Sequence, residues 1–107
     1  MQNQLKDKTA IITGSYGDIG NAICEKFASK GMKIALLGRN IEKLELQKAR
    51  LMKDYDVDIL IFNLDVSDSE SYRECIENIL DTWGAIDVLV NNAGLTRDNV
   101  IMRISDE

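Results

Sequence analysis

The run Thr13-Gly14-Ser15-Tyr16-Gly17-Asp18-Ile19-Gly20 decides the fold. Before it stands a short apolar run, Thr9-Ala10-Ile11-Ile12, and after it Ile19, Ala22, Ile23 and Phe27 recur at helical spacing up to about Lys30. A strand that turns on glycine into a helix leaves free backbone N–H groups at the positive end of the helix dipole, which suits a phosphate group. In such a loop Gly14 makes the tight turn, Gly17 lets the backbone approach a pyrophosphate, and Gly20 lets the helix pack close to the strand. The plain alternative is a strand-to-helix turn that uses glycine for its geometry alone. The position of the loop, as the first such turn in the chain, favours the phosphate reading. Asp18 is expected to cap the helix N-terminus, although its carboxylate then sits close to the expected phosphate.

The same alternation continues downstream. Gly31 ends the first helix, Ile34-Ala35-Leu36-Leu37 reads as a second strand closed by Gly38, and Asn40 is expected to cap a helix running to about Asp54. Ile41, Leu44, Leu51 and Tyr55 mark its apolar side. Ile59-Leu60-Ile61-Phe62 is a third strand, and Ser67 with Glu70 has the capping-box spacing for a third helix. That helix carries Tyr72, Cys75, Ile76, Ile79, Leu80 and Trp83 at spacings of three and four, and Gly84 closes it. Val88-Leu89-Val90 is a fourth strand. Strands apolar on both faces, alternating with helices, predict an α/β fold: a doubly wound parallel sheet covered on both sides.

Composition bounds the function. The 107 residues suffice for one domain, and 45% apolar with 29% charged residues is ordinary for a globular chain. A net charge of -5 gives no basic face for nucleic acid. Apolar runs reach only four residues, so no transmembrane helix is expected, and the polar start Met1–Lys8 is not a secretory signal. Histidine is absent, which removes His-based metal sites and Ser-His triads, and no metal is expected. Cys24 and Cys75 fall within helical stripes, consistent with a reducing, cytoplasmic setting.

With these motifs in place, the chain resembles the short-chain dehydrogenase/reductase family. Thr13-Gly14 with Gly20 matches the family's glycine loop, Asp65 falls after the third strand where the family has an adenine-contacting acid, and Asn91-Asn92-Ala93-Gly94 matches its motif at the end of strand four. The stretch from Asn91 to Glu107 looks most like a 3-oxoacyl-acyl-carrier-protein reductase. One position departs from the family pattern: glycine stands at 17, with Asp18 where the usual spacing has glycine. That spacing belongs to the family's extended branch, which acts on nucleotide-sugars, whereas Asn91–Gly94 argues against that branch.

The resemblance implies a Rossmann-type sheet holding the first four strands in order 3-2-1-4, and an oxidoreductase acting on a carbonyl or hydroxyl substrate such as a 3-oxoacyl thioester. It implies nicotinamide-cofactor contacts from Gly14, Ser15, Tyr16, Gly17, Ile19, Gly20, Arg39, Asp65, Val66, Asn91, Ala93 and Gly94. NADP(H) is expected over NAD(H). An acid about 20 residues past the loop would take the ribose hydroxyls of NAD, but Leu37-Gly38-Arg39 offers none, and the guanidinium of Arg39 suits a 2′-phosphate. An engineered acid is expected to be better placed for the ribose hydroxyls at Gly38 than at Arg39. The bland readings are a solvated Arg39, an exposed Asp65, and an Asn91 that ties strand four to its neighbours.

No catalytic residue is assigned. The family's chemistry uses a serine, a tyrosine and a lysine four residues after that tyrosine, but Tyr16, Tyr55 and Tyr72 are followed four positions on by Gly20, Ile59 and Ile76. The whole of 1–107 is thus expected to be a nucleotide-binding domain truncated before the catalytic segment. Its last residues, through Ser105-Asp106-Glu107, fall within what the family continues as a helix. Strand four would then be an open apolar edge, available for self-association or for a C-terminal half. The rival is a catalytically dead relative that acts as a binding or interaction module.

Overall fold

The computed structural model describes residues 4–91 and 100–103. Strand β1 (Thr9–Thr13) leads into helix α1 (Asp18–Ser29), then β2 (Lys33–Gly38), α2 (Ile41–Asp54), β3 (Ile59–Asn63), α3 (Ser69–Trp83), β4 (Val88–Asn91) and β5 (Val100–Arg103). Strands β3, β2, β1 and β4 lie side by side and parallel, in the doubly wound order expected from the sequence. The register sets Thr13 beside both Leu37 and Asn91, so the carboxyl ends of three strands finish level with one another.

Period-two alternation divides the strands between two cores. Ala10 and Ile12 of β1, Ile34 and Leu36 of β2, and Val90 of β4 pack with Cys24 and Ala28 of α1 and Leu44 and Leu51 of α2. Ile11, Ala35 and Leu37 point the other way, onto Cys75 and Ile79 of α3. The helices bury narrower faces than their spacing suggests. In α1 the buried line is Gly20, Cys24 and Ala28, whereas Ile19 is 55% exposed. In α2 it is Leu44, Gln47 and Leu51, and Ile41 lies at the surface. Helix ends follow glycine as expected: Gly31 and Gly84 both adopt positive φ, which costs a residue without Cβ little.

Two local expectations are corrected. The cap of α3 is Asp68 rather than Ser67: its carboxylate accepts from the Ser71 N–H at 3.3 Å and from the Ser71 hydroxyl at 3.0 Å. Ser67 is held instead by Asp65, which takes it out of the helix start. The second correction concerns β4. Its outer edge is paired by β5, antiparallel, with Val88 opposite Arg103 and Asn91 opposite Val100. Residues 100–103 are strand and β4 is not an open edge, while Ser105–Glu107, expected within a helix, lie outside the described residues. A row of unpaired strand N–H and C=O groups is a strong template, and an apolar segment a few residues downstream can satisfy it locally. Asp87 fixes the other end of β4, accepting from the Thr9 N–H at 2.9 Å while its own N–H donates to the Thr9 carbonyl at 2.9 Å.

Candidate functional site

At the carboxyl ends of the strands a cleft of about 520 Å³ opens between the glycine loop, the end of β2, the segment after β3 and the end of β4. Its walls come from Gly14, Tyr16, Gly38, Arg39, Asp65, Val66, Ser67 and Asn91, with Leu37 and Leu64 beneath. Open α/β sheets bind ligands at this position, outside the point where strand order reverses, which here lies between β1 and β4.

The glycine loop is built by close packing. Gly14 turns with φ +63 and donates its N–H to the Leu37 carbonyl at 3.1 Å, tying the loop to β2. Gly20 lies against that turn so tightly that a Cβ there would stand 2.3 Å from the Gly14 carbonyl oxygen and 2.9 Å from Ser15 Cα. Gly17 is the N-cap of α1, with an ordinary φ of -74 and no side chain to cover the helix end. Asp18 is therefore the first helical residue and not the cap, with its side chain exposed. The reason is local: the Gly17 carbonyl already accepts the first intrahelical bond, from the Asn21 N–H at 2.7 Å.

Ser15 and Tyr16 point to different neighbours. Ser15 is fully buried, and its hydroxyl donates to Gln47 Oε1 at 2.8 Å rather than facing the cleft. The Tyr16 ring covers the end of β2, its hydroxyl accepting from the Arg39 N–H at 3.3 Å and Lys43 Nζ lying 5.3 Å over the ring. A Cβ on Gly38 would meet Tyr16 Cε2 at 2.6 Å. A side chain at position 38 therefore requires the Tyr16 ring to move.

Arg39 and Asp65, read separately from the sequence, face each other across the mouth of the cleft with 3.4 Å between Nη1 and Oδ2. Both are exposed, so the pair itself adds little stability. Asp65 Oδ1 also accepts from the Ser67 N–H at 2.9 Å and the Ser67 hydroxyl at 2.8 Å. These two bonds, and after them the Arg39 charge, hold the Asp65 carboxyl below its ordinary value. Asn91 is half-buried at the end of β4, where its Oδ1 accepts from the Thr13 hydroxyl at 3.3 Å while the residue still lines the cleft. Ile19 is exposed on α1 and is not among the residues that line the cleft. Ala93 and Gly94, with Asn92, lie outside the described residues.

Sequence reasoning missed Gln47. A single amide on an otherwise apolar line, Leu44–Gln47–Leu51, was the available signal. Tyr16, expected among the cofactor contacts, does line the cleft, although nothing in the loop's spacing says which way its ring turns.

A family model described as short chain dehydrogenase matches residues 8–107. The chain belongs to the short chain dehydrogenase family. Among curated members, the 3-oxoacyl-(acyl-carrier-protein) reductase FabG of Haemophilus influenzae is 40% identical over 103 residues, covering 96% of this chain and 41% of that protein. The reductase of the same name from Aquifex aeolicus is 34% identical over 105 residues, covering 98% and 42%. Among solved structures, L-sorbose reductase from Gluconobacter frateurii, complexed with NADPH and L-sorbose, superposes with a TM-score of 0.83 at 35% identity, covering 99% of this chain and 40% of that one. NAD+-bound xylitol dehydrogenase gives a TM-score of 0.80 at 33% identity, covering 86% and 35%. The chain thus spans about two fifths of the length of the family members it matches. Among the described residues no helix is long and apolar enough to cross a membrane.

Proposed function

We propose that this chain is the NADP(H)-binding portion of a short-chain oxidoreductase acting on a carbonyl or hydroxyl substrate, a 3-oxoacyl thioester being the substrate class favoured by its curated relatives. The observation that carries this is the cleft itself. Gly14 and Tyr16 of the glycine loop, which leads into the N-terminus of α1 at Gly17, line it together with the Arg39–Asp65 pair, at the carboxyl ends of a doubly wound sheet.

The residues fit such a ligand on chemical grounds. Gly14, Ser15 and Gly17 shape the loop at the N-terminus of α1, whose dipole and first-turn N–H groups suit a pyrophosphate, and the absence of a side chain at Gly17 leaves room for close approach. Arg39, exposed at the mouth, offers a planar cation for a 2′-phosphate. Asp65 and Val66 supply an acceptor and an apolar wall for adenine, and Asn91 lines the cleft at the end of β4; Ala93 and Gly94 are further proposed contacts on the family resemblance alone. Neither Gly38 nor Arg39 provides the acid that would take ribose hydroxyls, and the Tyr16 ring lies against Gly38. That combination favours NADP(H) over NAD(H). The cofactor supplies hydride chemistry when bound; this chain's own residues bind and orient it. No tyrosine here is followed by the lysine that would tune it as a proton donor, so the chain alone is proposed to bind the cofactor without turnover. Pairing with β5 covers the β4 edge, one of the two features, with the fold itself, on which the interaction-module reading rests.

Calorimetric titration with ADP-ribose 2′-phosphate and with ADP-ribose tests this reading. The 2′-phosphorylated ligand should bind at least about tenfold more tightly, and Arg39→Ala should abolish that difference, a charge-assisted hydrogen bond being worth about 1.5–3 kcal/mol. Equal or tighter binding of ADP-ribose by the unsubstituted chain would refute the NADP(H) assignment.

A further inference from the structure

Gln47 lies in the middle of α2, only 3% exposed, between two leucines whose apolar line it interrupts. A leucine or methionine would continue that line, whereas a buried amide gains nothing unless its donors and acceptor are matched. They are matched on the glycine loop. Gln47 Oε1 accepts from the Ser15 hydroxyl at 2.8 Å, and Nε2 donates to the Ser15 carbonyl at 2.7 Å. The same Nε2 donates to Asn21 Oδ1 at 3.0 Å, on the first turns of α1. Asn21 also accepts from Arg50, which pairs with Glu25 at 3.7 Å, and Glu25 accepts from the Tyr55 hydroxyl at 2.9 Å. A polar chain therefore runs from the loop between α1 and α2 to the end of α2. The opposite side of the loop is pinned by contact, since Gly20 leaves no room behind the Gly14 carbonyl.

From this arrangement we infer that Gln47 is a positioning residue for the glycine loop, aiming its amides at the pyrophosphate of a bound dinucleotide. In a trans peptide the C=O and N–H point in opposite directions. Anchoring the Ser15 carbonyl on Gln47 therefore turns the Tyr16 N–H away from α2. Gripping the Ser15 hydroxyl at the same time fixes the side chain that would otherwise let this peptide rotate. Gln47 touches no ligand; it acts through Ser15. The inference rests on the dinucleotide reading above and adds a residue outside the cleft walls to the determinants of pyrophosphate affinity.

The test compares two ligands on the full chain. ADP-ribose 2′-phosphate carries the pyrophosphate, whereas adenosine 2′-monophosphate lacks it and reports on Arg39 and Asp65 alone. Gln47→Met, and the isosteric Gln47→Glu should the first variant not fold, are expected to lower affinity for ADP-ribose 2′-phosphate about tenfold, the size of one lost hydrogen bond to a charged group. Affinity for adenosine 2′-monophosphate should stay within about twofold of the unsubstituted chain. Equal losses for the two ligands, as a merely structural role would give, or no loss for either, would overturn the inference. Hydrogen exchange in the nucleotide-free chain separates this from failure of the dinucleotide reading. Faster exchange at the Gly17 amide, which donates to the Gly14 carbonyl within the loop, is expected for Gln47→Glu, and unchanged exchange there would overturn the clamp even if no ligand bound.

Discussion

Gly20→Ala sets two elementary effects against each other. Gly20 is the third residue of α1, and at an unconstrained helix position replacing glycine by alanine stabilises by about 1 kcal/mol. Here the new Cβ would stand 2.3 Å from the Gly14 carbonyl oxygen, 2.9 Å from Ser15 Cα and 3.0 Å from the Ser15 carbonyl carbon. Comfortable non-bonded separations begin near ~3.5 Å, so α1 or the loop must move by roughly 1 Å. All three obstacles are backbone atoms, and neither side can yield by rotating a side chain. Overpacking of this kind costs about 1–3 kcal/mol and occasionally more, which outweighs the gain in propensity. The net expectation is destabilisation by about 1–2 kcal/mol, or a fall in Tm on the order of 5–10 °C for a domain of this size. Urea and thermal unfolding measure it, with nucleotide titration of the folded fraction alongside. Gly17→Ala is the control: its Cβ would have a single contact at 3.7 Å, so stability should change by less than about 0.5 kcal/mol while pyrophosphate affinity falls. A Gly20→Ala chain as stable as the original, or more stable, would refute the packing argument.

Gly38→Asp alone should weaken binding of ADP-ribose and its 2′-phosphate alike, because its Cβ would meet Tyr16 at 2.6 Å; Gly38→Asp combined with Tyr16→Ser should reverse the preference toward ADP-ribose, and parallel titrations check both. Burial pushes the Cys24 thiol up to about 12 and the Cys75 thiol up to about 11, so in the native chain neither should react with a disulfide reagent near pH 8 except through opening, as the kinetics of thiol release will show. Those raised values also fix a sign: the thiols stay protonated when folded but ionise when unfolded, so stability present below about pH 9 should be lost as pH rises toward the folded values. Asp65 behaves oppositely. Its depressed pKa gives stability that is present at neutral pH and lost as pH falls below the ordinary carboxylate range, and Asp65→Asn should flatten that acid limb in denaturation curves.

Element order, strand pairing and the place of the glycine loop were legible in the sequence because each rests on local chemistry. Asn40 caps α2 as its spacing implies, accepting from the Lys43 N–H at 3.1 Å, and Gly31 and Gly84 stop the helices they follow. What the sequence concealed depends on competition between neighbours. Ser67 and Asp68 could each cap α3, and the choice fell to Asp68 because Asp65 had already engaged Ser67. Ser15 could face a ligand or the core, and only the three-dimensional proximity of Gln47, 32 residues away, turns it inward. Residues 100–103 carry no signal that separates a helix from a strand, and the free edge of β4 decides for the strand. Arg39 and Asp65 were each identified as contacts, but their mutual approach depends on β2 and β3 ending side by side.

The pyrophosphate-binding role of the glycine loop has a direct test in amide chemical-shift mapping of the chain titrated with ADP-ribose 2′-phosphate. The largest shifts are predicted at Ser15, Tyr16, Gly17 and Asp18, with a second group at Arg39, Asp65 and Val66. Shifts confined to the second group would leave the glycine loop a packing device only, and shifts outside both groups, or none at saturating ligand, would contradict the proposed cofactor site.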